Sequence, residues 1–114
     1  MKQLKNLDKL YEIRQLKEDW NGHGSKAISE AVINMSEIIV KNICSQPTIY
    51  PTGRNSIQMQ YELNDKSYLE FEILEEKIVC MKVPQRTYTK ASFEVIKGVD
   101  MELINKIVKE FYER

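Results

Sequence analysis

The spacing of apolar positions changes period twice along the chain, which divides it into three stretches. In the first, Leu4, Leu7, Leu10, Tyr11, Ile13 and Leu16 recur every three or four residues, with Lys5, Asp8, Lys9, Glu12 and Lys17 between them. A helical period places such positions on one stripe, so the spacing predicts a helix from about Gln3 to Lys17. Gly22 and Gly24 end it. Ser29 then has the character of an N-cap, because its hydroxyl can accept a free amide of the first turn. Ile28 and Ile33 stand where a hydrophobic staple would. Val32, Met35, Ile38, Ile39 and Ile43 form the expected buried stripe of a second helix ending near Cys44, and Pro47 forbids more.

The second stretch alternates with period two. Ile57, Met59, Tyr61 and Leu63 are separated by Gln58, Gln60 and Glu62, which is a half-buried strand with a wet face. Asn64 to Ser67 is turn chemistry. Leu69, Phe71 and Ile73 with Glu70 and Glu72 repeat the pattern, and Glu75-Glu76-Lys77 turns the chain again. Ile78 to Val83 is almost continuously apolar, as expected of a strand that is central or covered on both faces. Thr87 to Ile96 is a weaker candidate for a fourth, edge strand. In the third stretch Asp100 is an N-cap, Glu102 suits the positive end of the helix dipole, and Ile104, Ile107, Val108 and Phe111 form a stripe. The expected fold is α+β: two N-terminal helices, an antiparallel meander of three to four strands, and a C-terminal helix packed on the sheet.

The length, 114 residues, fits one domain spanning 1–114. Apolar residues make up 42% and charged residues 30%, which excludes wholesale disorder. A formal net charge of zero gives no general attraction to nucleic acid or an anionic membrane. No apolar run is long enough to span a bilayer, and Met1 to Asn6 lacks the apolar core of a signal peptide. Cys44 and Cys80 are therefore expected as reduced thiols in a cytoplasmic protein.

The loop Asp19-Trp20-Asn21-Gly22-His23-Gly24-Ser25 holds the only Trp, the only His and two of the four Gly. Read structurally, Trp20 plugs the junction of the first two helices with its indole N–H on a carbonyl, while Asp19 accepts backbone amides within the turn. Read catalytically, Asp19, His23 and Ser25 are the residue types of a hydrolytic triad, but one short loop cannot easily place them in line. Neither a phosphate-binding loop nor a dinucleotide site fits, because the glycines follow a helix and no Lys-Ser/Thr ending is present. One His and two separated Cys supply no metal cluster. No cofactor and no catalytic residue are expected.

The run Asp19 to Ser29 resembles a loop of a large set of small, mostly uncharacterised bacterial and phage proteins. These carry Asp-Trp-Asp/Asn-Gly-(aromatic or His)-Gly-Ala/Ser and then a Ser at a helix start. Pro51, Gly53, Ile57, Met59, Tyr61 and the segment Leu69 to Ile73 follow in the same order, so the resemblance covers roughly residues 16 to 73. Position 27 is Ala where Pro is common. The resemblance implies helices followed by a meander and a phage or mobile-element setting. It carries no activity over to this chain.

Charge is the remaining signal. Glu62, Glu70 and Glu72 share one face of the first hairpin in the simplest register, relieved by Lys82 or used to dock a basic partner. The following segment is basic, and Arg86, Tyr88 and Lys90 within it mix cations with an aromatic ring, as a single-stranded nucleic-acid site does. Tyr50, Tyr68 and Tyr88 are candidates for exposed contacts that would suit a homodimer. The function expected is a small non-enzymatic interaction module acting on a macromolecular partner, such as an anti-defence or antitoxin-like factor. The alternatives are a nucleic-acid binder using residues 86–90 and a small hydrolase using Asp19 and His23.

Overall fold

The computed structural model describes residues 2–113; the domain limits at Met1 and Arg114, and the start of the segment read for a leader, lie outside them. The elements are α1 (Lys2–Arg14), α2 (Glu30–Asn42), β1 (Thr48–Thr52), β2 (Ser56–Glu62), β3 (Tyr68–Ile73), β4 (Ile78–Val83), β5 (Ser92–Ile96) and α3 (Met101–Tyr112). The class is α+β, with the strands in one antiparallel sheet of order β1-β2-β3-β4-β5. The sheet therefore has five strands rather than three or four. The additional strand, β1, contains Pro51, which reads as a turn residue in sequence. An edge strand accepts proline wherever the lost N–H would have pointed away from the sheet.

Register places two sets of side chains on opposite faces. On the inner face, Ile49, Met59, Phe71 and Cys80 lie side by side across the strands, and Ile57, Ile73, Ile78 and Ile96 form the next row. All eight are buried in one core with residues from the three helices. Leu10 and Ile13 come from α1, Val32, Ile33, Ile39 and Val40 from α2, and Ile104, Ile107, Val108 and Phe111 from α3. The stripe foreseen for α3 is the buried one. In α2 Val32 and Ile39 of the expected stripe are buried, joined by Ile33, Ser36 and Val40, whereas Met35 and Ile43 are only partly buried and Ile38 is exposed. In α1 only Leu10 and Ile13 are buried, and Leu4 and Tyr11 are exposed. The helix ends at Arg14 rather than Lys17, because the N–H groups of Gln15 and Leu16 bond three residues back and tighten the last turn.

The predicted caps form: Ser29 Oγ accepts from Val32 N at 3.4 Å and Asp100 Oδ1 from Leu103 N at 3.1 Å. Between α1 and α2 the loop closes on itself. Asp19 N donates to Ser25 O at 2.6 Å, Asp19 Oδ1 accepts from Gly24 N at 2.6 Å, and Trp20 Nε1 donates to Lys26 O at 2.9 Å. Asp19 lies at φ 60°, and Gly22 and Gly24 also take the left-handed conformation. Trp20 is half-buried, and its indole N–H finds a carbonyl as expected. The loop docks on the β1–β2 turn through Lys26 N to Gly53 O at 2.9 Å, and Ser29 N donates to Asn55 Oδ1 at 2.8 Å. Two-stage contact of this kind fixes where α2 starts relative to the sheet. Cys44 is exposed, Cys80 is buried, and both are free thiols.

Candidate functional site

The outer face of the sheet is where the charged residues singled out in the sequence meet. Its rows are Tyr50, Gln58, Glu72, Val79 and Val95, then Thr48, Gln60, Glu70, Met81 and Phe93, then Glu62, Tyr68 and Val83. The face is polar over β1 to β3 and apolar over β4 and β5.

On the polar half the carboxylates are held by groups of the same chain. Arg54 Nε donates to Glu72 Oε2 at 2.8 Å, and Ser56 Oγ donates to the same oxygen at 2.5 Å. Burial pushes the Glu72 carboxyl pKa up, but the hydrogen bonds from Arg54 and Ser56 outweigh it and hold the group below its ordinary value. Tyr68 donates its hydroxyl to Glu70 Oε1 at 2.7 Å. Arg86 donates through Nη2 and Nε to Glu62 Oε2 at 2.8 and 3.1 Å, and through Nη1 to the Tyr88 hydroxyl at 3.0 Å. Its guanidinium lies 4.0 Å from the Tyr68 ring centroid, a stacked cation–π contact. Tyr68 is consequently buried, not the exposed aromatic contact the sequence suggested. Burial and the bond to Glu70 push its phenol pKa well up. Lys82 pairs with Leu69 and so belongs to the inner face, and cannot relieve Glu70 and Glu72 on the outer one.

The acidic hairpin and the basic segment are therefore partners within the chain. Glu62, Glu70, Arg86 and Tyr88 gather with Tyr68 at one end of the face, and Glu72 lies with Arg54 at the other. Lys90 is exposed beyond Tyr88 and its side chain has no hydrogen bond or ion pair among the described residues. The connection that delivers Arg86 is strained: Gln85 and Arg86 lie at φ 49° and 58°. Non-glycine residues there cost on the order of 1 kcal/mol or more each. They are held by Gln85 N on Ser67 Oγ at 3.1 Å and by the Arg86–Glu62 pair.

On the apolar half Val79 and Met81 are half-buried, and Phe93 and Val95 are 68% and 56% exposed. Tyr88, 59% exposed, lies in the adjoining connection. Sequence reasoning did not single out Phe93 or Val95. The available signal was the phase of Ser92-Phe93-Glu94-Val95-Ile96: if Ile96 faces the core, Phe93 and Val95 must face away from it.

The loop residues proposed for hydrolysis do not converge. Asp19 is bonded to Gly24 N, the His23 side chain is exposed, and Ser25 Oγ is buried with no hydrogen-bond partner among the described residues, 3.1 Å from the position a Cβ on Gly53 would take. A cleft of about 310 Å3 lies between α3 and the end of β4, with Lys82, Ser92, Ile107 and Phe111 among its walls. Among the described residues no group of three or more His, Cys, Asp or Glu side chains gathers as a metal site, and no helix is long and apolar enough to cross a membrane. Comparison with protein-family models, curated proteins and solved structures yields no match.

Proposed function

We propose that this chain is a non-enzymatic protein-binding module whose working surface is the outer face of the sheet over β4, β5 and the connection between them. The observation that carries this reading is the exposure of Phe93 and Val95 on a sheet face the helices leave uncovered, with Tyr88 exposed in the connection that leads into β5. Contiguous exposed apolar groups rimmed by polar ones mark association surfaces. The rim here is the Glu62–Arg86–Tyr68 cluster, fixed by hydrogen bonds and so already organised before a partner arrives. Arg86 is engaged by Glu62, which leaves Lys90 as the solvated cation within residues 86–90 and weakens a nucleic-acid role for that stretch. An inhibitory or accessory role in a phage or mobile-element setting belongs to the same reading and is carried by the loop resemblance.

The test is capture by tagged protein with three variants side by side. Phe93→Ser and Met81→Glu alter the apolar half without touching the core, and His23→Ala alters the exposed loop. A protein retained by wild type and His23→Ala but lost by both face variants is the expected result. Retention by all of them removes the outer face as the working surface.

A further inference from the structure

The hydrogen-bond phase of the sheet tells its two edges apart. Leu63 N donates to Ser67 O, and Leu74 N donates to Lys77 O. Opposed residues in an antiparallel pair alternate between hydrogen-bonded and non-bonded. Carrying that alternation across the registers makes Ser92, Glu94 and Ile96 the residues of β5 that bond to β4. The N–H and C=O groups of Phe93 and Val95 then point away from the sheet. The same count on β1 leaves Ile49 and Pro51 pointing outward. That edge is blunted, because Pro51 has no N–H and α1 lies against the strand. The β5 edge has neither protection: its five residues contain no proline, and its outer side chains are Phe93 and Val95.

We propose that the β5 edge accepts an extended segment of a partner protein as a sixth strand, with apolar side chains beside Phe93 and Val95 and a basic side chain between them opposite Glu94. This rests on the reading of the outer face as the working surface and names how the partner lies on it. Strand addition supplies main-chain bonds, and alternate side chains supply selectivity. The outer side chains of the added strand extend the apolar half of the face. Glu94, on the other side of β5, is exposed and makes no ion pair among the described residues. A lysine or arginine opposite it is favoured. A second copy of this chain is disfavoured in the register that uses both outward residues: pairing Phe93 with Val95 of a copy, and Val95 with Phe93, sets Glu94 against its own copy. Like charges directly opposite each other destabilise a sheet.

The probe is a fluorescein-labelled peptide with Val-Lys-Val flanked by Ser and Thr, which presents the same pattern in either strand direction; its control carries Val-Glu-Val. Fluorescence anisotropy of wild type should show saturable binding with the lysine peptide favoured by about threefold, the size of a cross-strand charge pair. Glu94→Lys should reverse that preference. Phe93→Pro removes an outward N–H and no ladder bond, so it should keep the circular dichroism spectrum of wild type and lose binding at least tenfold. Should that variant misfold, hydrogen exchange on wild type replaces it: the Phe93 and Val95 amides should slow on addition of the lysine peptide. Equal binding by a folded Phe93→Pro, unchanged exchange at those amides, no saturation, or a wild-type chain that sediments as a β5-paired dimer would each overturn the proposal. If Met81→Glu loses partner capture while the proline variant does not, strand addition alone fails. If neither loses it, the outer-face reading fails as well.

Discussion

Asn55 shows how much of this molecule hangs on single polar side chains. It lies at φ 58°, a conformation asparagine tolerates better than most residues. Its Oδ1 accepts from Ser29 N at 2.8 Å, and its Nδ2 donates to Glu75 Oε1 at 3.0 Å. One side chain thus ties the start of α2 to the β1–β2 turn and to the β3–β4 turn. Asn55→Ala leaves a partly buried N–H without a partner and is expected to cost about 2 kcal/mol in urea denaturation with the slope unchanged. In a Glu75→Gln background, where no second carboxylate faces position 55, Asn55→Asp keeps the acceptor for Ser29 and should lose less than Asn55→Ala; equal losses would mean the Ser29 bond is not the source. Glu72 gives a pH-dependent counterpart. Its carboxyl is held below the ordinary value of 4.5, against the upward push of burial, by Arg54 and Ser56. A depressed folded value contributes stability above that ordinary value and loses it as pH falls through the folded one. Glu72→Gln should therefore lower the melting temperature at pH 7, and the gap to wild type should narrow progressively below about pH 4. A gap of constant size from pH 7 to pH 3 would remove the carboxylate as its cause.

At the scale of elements, the alternation along β5 makes a prediction that does not depend on any partner. The Glu94 and Ile96 amides bond to β4, whereas those of Phe93 and Val95 face solvent. Native-state hydrogen exchange should show protection alternating along β5, and uniform protection would contradict the derived phase. On β1 the residues turned outward are Ile49 and Pro51, and the Tyr50 amide, which bonds to β2, should be protected. The elements that sequence periodicity located well are those whose pattern is local. The bounds of β4 were read as Ile78 to Val83 and are found there; Ser29 and Asp100 cap their helices; the α3 stripe is the buried one. β1 was missed because Pro47, Pro51 and Gly53 are turn signals, and only its place at the edge of a sheet makes Pro51 acceptable. β4 is interior in strand order, but its apolar run does not mean two covered faces, since Val79 and Met81 are half-buried on the open side. The candidate site was legible as a list and not as an arrangement. Glu62, Arg86 and Tyr88 were read as two opposed charged segments, whereas strand register and two left-handed residues bring them into one cluster.

For the whole molecule, the decisive feature is that one core joins every helix to the sheet. Among the described residues one core cluster draws on every helix and on the sheet, so the chain should unfold in one cooperative step. Cys80 offers a direct readout. It sits on the inner face between Phe71 and Glu94 in register, it is buried, and burial pushes its thiol up to about 11. At neutral pH the thiol is both shielded and protonated, so a disulfide reagent meets a reactive thiolate there only after opening. Cys44 is exposed and should react at once. In a Cys44→Ser protein, the labelling rate of Cys80 at increasing urea should therefore give an opening free energy equal to that of global unfolding. The competing outcome is informative because β5 is the one strand with an unguarded edge and two exposed apolar side chains. If β5 peels away while the rest stays folded, Cys80 on the neighbouring strand is labelled at a markedly lower free energy. The dependence of labelling on urea would then be shallow, since little surface is exposed in the opening. Under a single cooperative core the urea dependence of labelling matches that of unfolding. β5 is then held in place by β4 and by Ile96 in the core, as the proposed strand addition requires.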